Sequence, residues 1–329
     1  MKTETDIVES LIRSAGRRVD PPEDARQRVF VAAHAAFREK AARRRERLRG
    51  LWAGAAAVLV VAVAVVARWS PSASPQAELG RLARVLGEAE VAEGGQWRPA
   101  ADAREPLVAG IRVRTLGGGR LALALAGGES VRLAPETEVM LDGPGRLYLQ
   151  HGTIYVDSGA APSSARVEVV TPAGTARDVG TQFELRVAGA ALRLRVREGL
   201  VALDRGGESL TGRAGEEVSF DSLGGVARAA IAADDAQWRW VEGVAPMPDM
   251  DGKPAATLIA WVARETGRRL HYESPLVESR ALEVILHGDI RHLAPMEALE
   301  AFLATTDLMA EVRGDTLVVM SRSSEPPGP

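Results

Sequence analysis

From about residue 80 to residue 226 the chain alternates apolar and polar positions with a period of two, and glycine interrupts the alternation every eight to fifteen residues. A period of two puts successive side chains on opposite faces of a strand, so the pattern predicts a half-buried β architecture. Strands are predicted at 111–115, 120–125, 130–133, 145–150, 153–156, 166–170, 181–187 and 192–196, joined by turns at Gly117-Gly118-Gly119, Gly127-Gly128, Gly143-Pro144-Gly145 and Gly206-Gly207. Phe183 takes the inward parity of its strand. Arg193, Arg195 and Arg197 alternate with apolar residues, which reads as a solvated strand face.

After residue 250 the period changes. Leu258, Ile259, Trp261 and Val262 form a helical stripe over 255–266, stopped by Gly267, and Met296, Leu299, Phe302 and Leu303 form another over 295–305. Short strands are predicted at 270–272 and 282–286, with a hairpin of 310–313 and 316–320 across Gly314-Asp315. The order helix, stop, strand occurs twice, as in a duplicated unit on one small sheet. Strands 282–286 and 316–320 are candidate edges for strand addition by a partner, or are paired within the domain. Trp238 and Trp240 fall between the two textures and are expected to bury against one side or the other.

Before residue 80, helices are predicted at 5–18 and 23–49, broken by Asp20-Pro21-Pro22. Val29, Phe30, Ala33 and Phe37 make an apolar stripe that either contacts a cytoplasmic partner or packs on the first helix. Residues 51–67 carry no charge and are bracketed by Arg49 and Trp52 on one side and by Arg68 and Trp69 on the other. Seventeen such residues would cover about 25 Å as a helix, enough for a single transmembrane span anchored by those four side chains. Seven basic residues lie in 38–49 and none in 70–77, so the positive-inside bias predicts residues 1–50 in the cytoplasm and the rest beyond the membrane. A cleaved signal peptide is the competing reading, but its charged region would run to some fifty residues.

Composition sharpens this division. The 329 residues carry 41 Lys+Arg and 44 Asp+Glu, net −3, yet residues 1–50 are net +5 and the remainder net −8. The basic run lacks interleaved aromatics, so it reads as a topology and lipid signal, with no direct nucleic-acid binding. The absence of cysteine excludes disulfides, thiol nucleophiles and Cys-based metal sites. His151 near Asp157, and Asp289 between His287 and His292, are the nearest approaches to a catalytic or metal cluster. Neither has a nucleophile elbow or a third ligand, so no enzyme, metal or cofactor is expected.

Four segments resemble the periplasmic domain of the FecR family: 109–115, 128–139, 149–156 and, most specifically, 169–185 followed by 196–201. The last carries Thr171, Pro172, Gly174, Gly180, Thr181, Phe183 and Gly199 at the family's motif positions. Residues 250–320 resemble the secretin and TonB short N-terminal (STN) domain. The resemblance implies a multidomain, membrane-anchored protein: cytoplasmic helical segment 1–50, transmembrane helix 51–68, linker 69–79, all-β sandwich or solenoid-like domain 80–228, interdomain segment 229–249, α+β domain of βαβ type 250–321 and tail 322–329. It implies a single-pass regulator of the bacterial inner membrane with its C-terminal domains in the periplasm. Its partners would be an ECF sigma factor and an outer-membrane TonB-dependent transducer or another periplasmic protein. Family members that bind sigma factors carry tryptophans in the cytoplasmic segment, whereas the first Trp here is Trp52. An envelope interaction module without a sigma-factor partner therefore stays open as the alternative.

Overall fold

The computed structural model describes residues 77–322 apart from 104, 160–166 and 179, together with Glu9. The chain forms two units, Met1–Ser74 and Pro75–Pro329, and apart from Glu9 the described residues belong to the second. The predicted helices at 5–18 and 23–49, the stripe Val29, Phe30, Ala33 and Phe37, and the bracket Arg49, Trp52, Arg68 and Trp69 lie outside the described residues.

Sixteen strands follow one another from residue 80 to residue 230: β1 (Gly80–Leu86), β2 (Ala89–Glu93), β3 (Gln96–Pro99), β4 (Arg112–Thr115), β5 (Arg120–Leu125), β6 (Ser130–Leu133), β7 (Glu138–Gly143), β8 (Arg146–Asp157), β9 (Glu168–Thr171), β10 (Gly174–Asp178), β11 (Gln182–Ala188), β12 (Ala191–Glu198), β13 (Leu200–Arg205), β14 (Glu208–Arg213), β15 (Glu216–Phe220) and β16 (Val226–Ala230). They form two layers. The first runs β1-β5-β6-β8-β11-β12-β15-β16 and the second β3-β2-β4-β7-β8-β9-β10-β13-β14. The long strand β8 belongs to both, pairing with β7 and β9 in its first half and with β6 and β11 in its second.

The two strands predicted at 145–150 and 153–156 are therefore one. The break between them is a bend at which the chain passes from one layer to the other. Gly152 sits there at φ 98°, where a Cβ would lie 2.4 Å from the Thr137 hydroxyl oxygen and 2.5 Å from the Thr137 Cα, so only glycine lets β7 and β8 approach. Between the layers, Val131, Ile154, Phe183, Leu185, Leu194 and Val196 pack with Leu141, Leu147, Leu149, Val169 and Leu203 in one core that runs from Leu79 to Phe220. Each such side chain contributes roughly 1.5–3 kcal/mol on burial.

A second core, from Met250 to Val319, belongs to a smaller α/β module. Its elements, with the short helix that precedes them, are α1 (Arg239–Gly243), α2 (Ala255–Thr266), β17 (Arg269–Tyr272), α3 (Pro275–Glu283), α4 (Pro295–Leu303), β18 (Leu308–Arg313) and β19 (Thr316–Ser321). The sheet order is β17-β19-β18, with β17 parallel and β18 antiparallel to β19. The helices at 255–266 and 295–303 and the hairpin across Gly314-Asp315 follow the sequence pattern.

Two expectations are corrected and one open alternative is decided. Residues 282–286 are no strand: Ser274 caps α3 by accepting from the Val277 N–H, Pro275 sets its first turn, and the helix runs to Glu283. What remains of the predicted strand makes one isolated bridge, Ile285 to Pro254. Of the two readings open for residues 316–320, pairing within the domain is the one observed, because β19 is the central strand of its sheet. The membrane-anchored architecture with one transmembrane helix is not supported, since among the described residues no helix is long and apolar enough to cross a membrane. The longest, α2, has 12 residues and spans about 18 Å. The fold class of the described chain is a two-layer β sandwich carrying a small α/β module with a few short helices. The STN likeness at 250–320 likewise finds no support in this arrangement.

Candidate functional site

Opposite the sandwich core, the outer face of the first sheet carries a continuous cross-strand row: Ala122, Arg132, Tyr155, Glu184, Arg195 and Glu217 are successive register partners on β5, β6, β8, β11, β12 and β15. By strand parity these are the positions that would face water. Instead Arg132, Tyr155 and Ala122 are fully buried, Glu184 is 2% exposed and Arg195 is 7% exposed. What covers them is the chain after β16. Trp238 packs edge-on against Tyr155 with ring centroids 5.9 Å apart, and Ile231 and Val241 complete a small apolar cluster with half-buried Trp240 at its margin. The Trp238 indole N–H donates to the Ala232 carbonyl at 2.9 Å and that of Trp240 to the Glu184 carboxylate at 2.9 Å. Both tryptophans thus bury against the sandwich.

Around this cluster the joint between the two cores is made of charges. The Arg132 guanidinium donates to both oxygens of Glu265, at the end of α2, at 2.7 and 2.9 Å, and to the Val241 carbonyl at 3.2 Å. Beside it, Arg264 donates to Asp157 and to Glu198, each at 2.6 Å. Asp157 also accepts from the Gln182 amide at 3.0 Å and from the Gly159 N–H at 2.8 Å. Arg197 donates to the Ala233 carbonyl at 2.6 Å and to the Glu265 carbonyl at 2.8 Å. From β1, Arg84 reaches the carbonyls of Ala245, Leu293 and His292 at 3.2, 3.3 and 3.0 Å. The expectation that Arg193, Arg195 and Arg197 form a solvated face is corrected for the last two, because Arg195 is held between Glu184 and Glu217 and Arg197 is buried under the α/β module.

The electrostatics follow from this packing. Burial opposes the Arg132 charge, but Glu265, by its charge and hydrogen bonds, outweighs it and holds the guanidinium above its usual range. Burial likewise pushes Asp157 up, yet Arg264 by charge and hydrogen bond, with Gln182, brings it below the usual carboxylate range. Burial drives the Tyr155 phenol far above its ordinary value and keeps it neutral. It also raises Glu242, only partly offset by the charge of Arg197. An open cleft of about 610 Å³ runs along this seam, lined among others by Arg81, Ser130, Arg132, Asp157, Trp261 and Arg264.

The predicted chemical candidates are not brought together. His151 is exposed and lies opposite Glu138, six residues and therefore about 20 Å along β8 from Asp157, which is committed to Arg264. Asp289 is engaged by Arg291 at 2.9 Å, and His287 lies 3.4 Å from Asp251 in the exposed loop. Among the described residues no cluster of three or more His, Asp and Glu side chains has metal-binding geometry. The motif residues build the sandwich. The Thr171 hydroxyl donates to the Gly174 carbonyl at 2.7 Å and accepts from the Ala173 N–H at 3.1 Å, which closes the turn through Pro172 between β9 and β10. Thr181 and Phe183 are fully buried, and Gly180 and Gly199 lie side by side at turns flanking β11 and β12.

Residues 111–202 match the FecR protein family. The chain carries a FecR domain. The match runs from the strand β4 into β13 and holds most of the sandwich side of the joint, Arg132, Tyr155, Asp157, Glu184, Arg195 and Arg197, while Arg84 of β1 precedes it. Glu265, Arg264 and Trp238, which cover the FecR domain, lie beyond it. Two crystal structures of a "putative anti-sigma factor" from Parabacteroides distasonis are similar at 14% identity and a TM-score of 0.36, over 64% of this chain and 99% of that one. No curated protein matches the chain.

The joint itself was not legible as a site. Arg132 occupies a polar position in an alternating strand, and Glu265 the last turn of an amphipathic helix, where charges are ordinary. The pair Trp238 and Trp240 between two textures was the one available signal, since large aromatics outside a periodic element ask for a surface to bury against.

Proposed function

We propose that this protein is a FecR-type regulator that works by binding proteins and performs no chemistry of its own, and that it acts on a sigma factor through residues 1–50. The FecR domain at 111–202 is the observation that carries the reading. The joint supports it, because its acids and guanidinium groups are spent on one another and its design is that of a contact. Co-purification of residues 1–50 with the sigma factors of its own organism, paired with a reporter for sigma-dependent transcription, tests it. Capture of one sigma factor, with reporter output that responds to deletion of residues 2–36, is the expected outcome. The second reading, an interaction module without a sigma partner, is favoured by the absence of tryptophan from residues 1–50. It predicts no capture and no change of output on that deletion.

A further inference from the structure

We infer that residues 250–322 form a module that docks on and undocks from the FecR sandwich as a unit, held shut by the Arg132–Glu265 and Arg264–Asp157 ion pairs and by Arg84. This goes beyond the functional reading and does not depend on it.

Four observations converge. The two cores are separate: the sandwich cluster ends at Phe220 and the module's begins at Met250. The chain between them passes through Pro246-Met247-Pro248-Asp249, which belongs to no helix or strand and offers a place to turn. The contacts that cross from the module to the sandwich are dominated by charged and polar groups: Glu265 and Arg264 of α2 with Arg132, Asp157, Glu198 and Arg197, and the Leu293 and His292 carbonyls with Arg84. Such groups recover hydrogen bonds from water when parted, so open and closed states differ far less in free energy than they would across an apolar interface. The closed joint is also incompletely satisfied, for the Nε of Arg132, whose guanidinium Glu265 covers, is buried without a hydrogen-bond partner. Its desolvation opposes closure. The apolar cluster of Tyr155, Ile231, Trp238 and Val241 precedes the turning segment and stays on the sandwich when the module leaves.

The absence of native cysteine makes the test clean, because Gln150→Cys on the sandwich and Arg313→Cys on β18, both exposed, are then the sole thiols to label. Double electron–electron resonance on the labelled full chain is expected to give one narrow distance distribution for the otherwise unchanged protein. Adding Glu265→Gln, or separately Arg84→Ala, is expected to raise a second, broader population several-fold while far-UV circular dichroism stays the same. A single narrow distance that neither substitution alters overturns the inference. So does loss of all secondary structure in both variants, which would mean that sandwich and module stand only together. Should Glu265→Gln alone fail to fold, the Arg84→Ala distribution decides by the same criterion.

Discussion

Arg132 and Glu265 show what a single pair decides. Each satisfies a charge that burial would otherwise penalise, and the pair is bidentate and almost wholly sequestered, with side chains 1% and 5% exposed. Removing one partner of such a pair leaves the other charged and stranded, a cost of about 3–5 kcal/mol. Glu265→Gln is therefore expected to destabilise the docked form by that order in urea titration, while the double variant with Arg132→Met recovers most of the loss. Glu242 behaves in the opposite sense. Burial holds its carboxyl above the usual range, so the ionised form is disfavoured in the folded protein at neutral pH and the penalty disappears once pH falls below the unfolded value of roughly 4.3. Glu242→Gln should accordingly raise Tm at pH 7 and leave it unchanged near pH 3, a difference that scanning calorimetry reads directly.

At the scale of elements, sequence periodicity was a good guide wherever one face of a segment met a core. Strands β5, β6, β11 and β12 and helices α2 and α4 all lie where alternating or helical apolar positions predict them. The pattern fell silent where burial did not discriminate between faces. Strand β16 is exposed at all five positions, and β10 buries only Ala176 among its apolar residues, so neither carries an apolar stripe. At 282–286 the apolar run was overruled by the cap and proline at Ser274-Pro275, which started a helix seven residues before Leu282 that runs through Glu283. One element end links the two cores. Gly267 terminates α2 at φ 67°, and a Cβ there would lie 2.1 Å from the Ala233 carbonyl oxygen and 2.5 Å from the Arg197 Nε. Gly267→Ala should cost more than the ~1 kcal/mol of backbone strain alone and should loosen the joint, seen as faster hydrogen exchange at the end of α2.

Over the described residues, the two cores rely on apolar burial and the seam between them on charge, which makes the seam sensitive to pH. Because Asp157 is depressed in the folded state, its contribution is fully present above the unfolded value near pH 3.9 and is lost as pH falls through the lower folded value. Tm is expected to fall steeply in that acid window, and Asp157→Asn to flatten this part of the profile while lowering Tm at pH 7. The sequence by itself determined the β character of residues 80–226, the inward parity of Phe183, the paired helix and strand units after residue 250 and the FecR motif, because each is written in local spacing that any fold of the chain must honour. Tertiary structure alone decided that β8 serves two layers, that Arg132, Tyr155, Arg195 and Arg197 are buried rather than solvated, and that Glu265 meets Arg132 across 133 residues of chain. A polar position on a strand face looks the same in sequence whether water or another module covers it, and only the packing of one core against the other distinguishes the two.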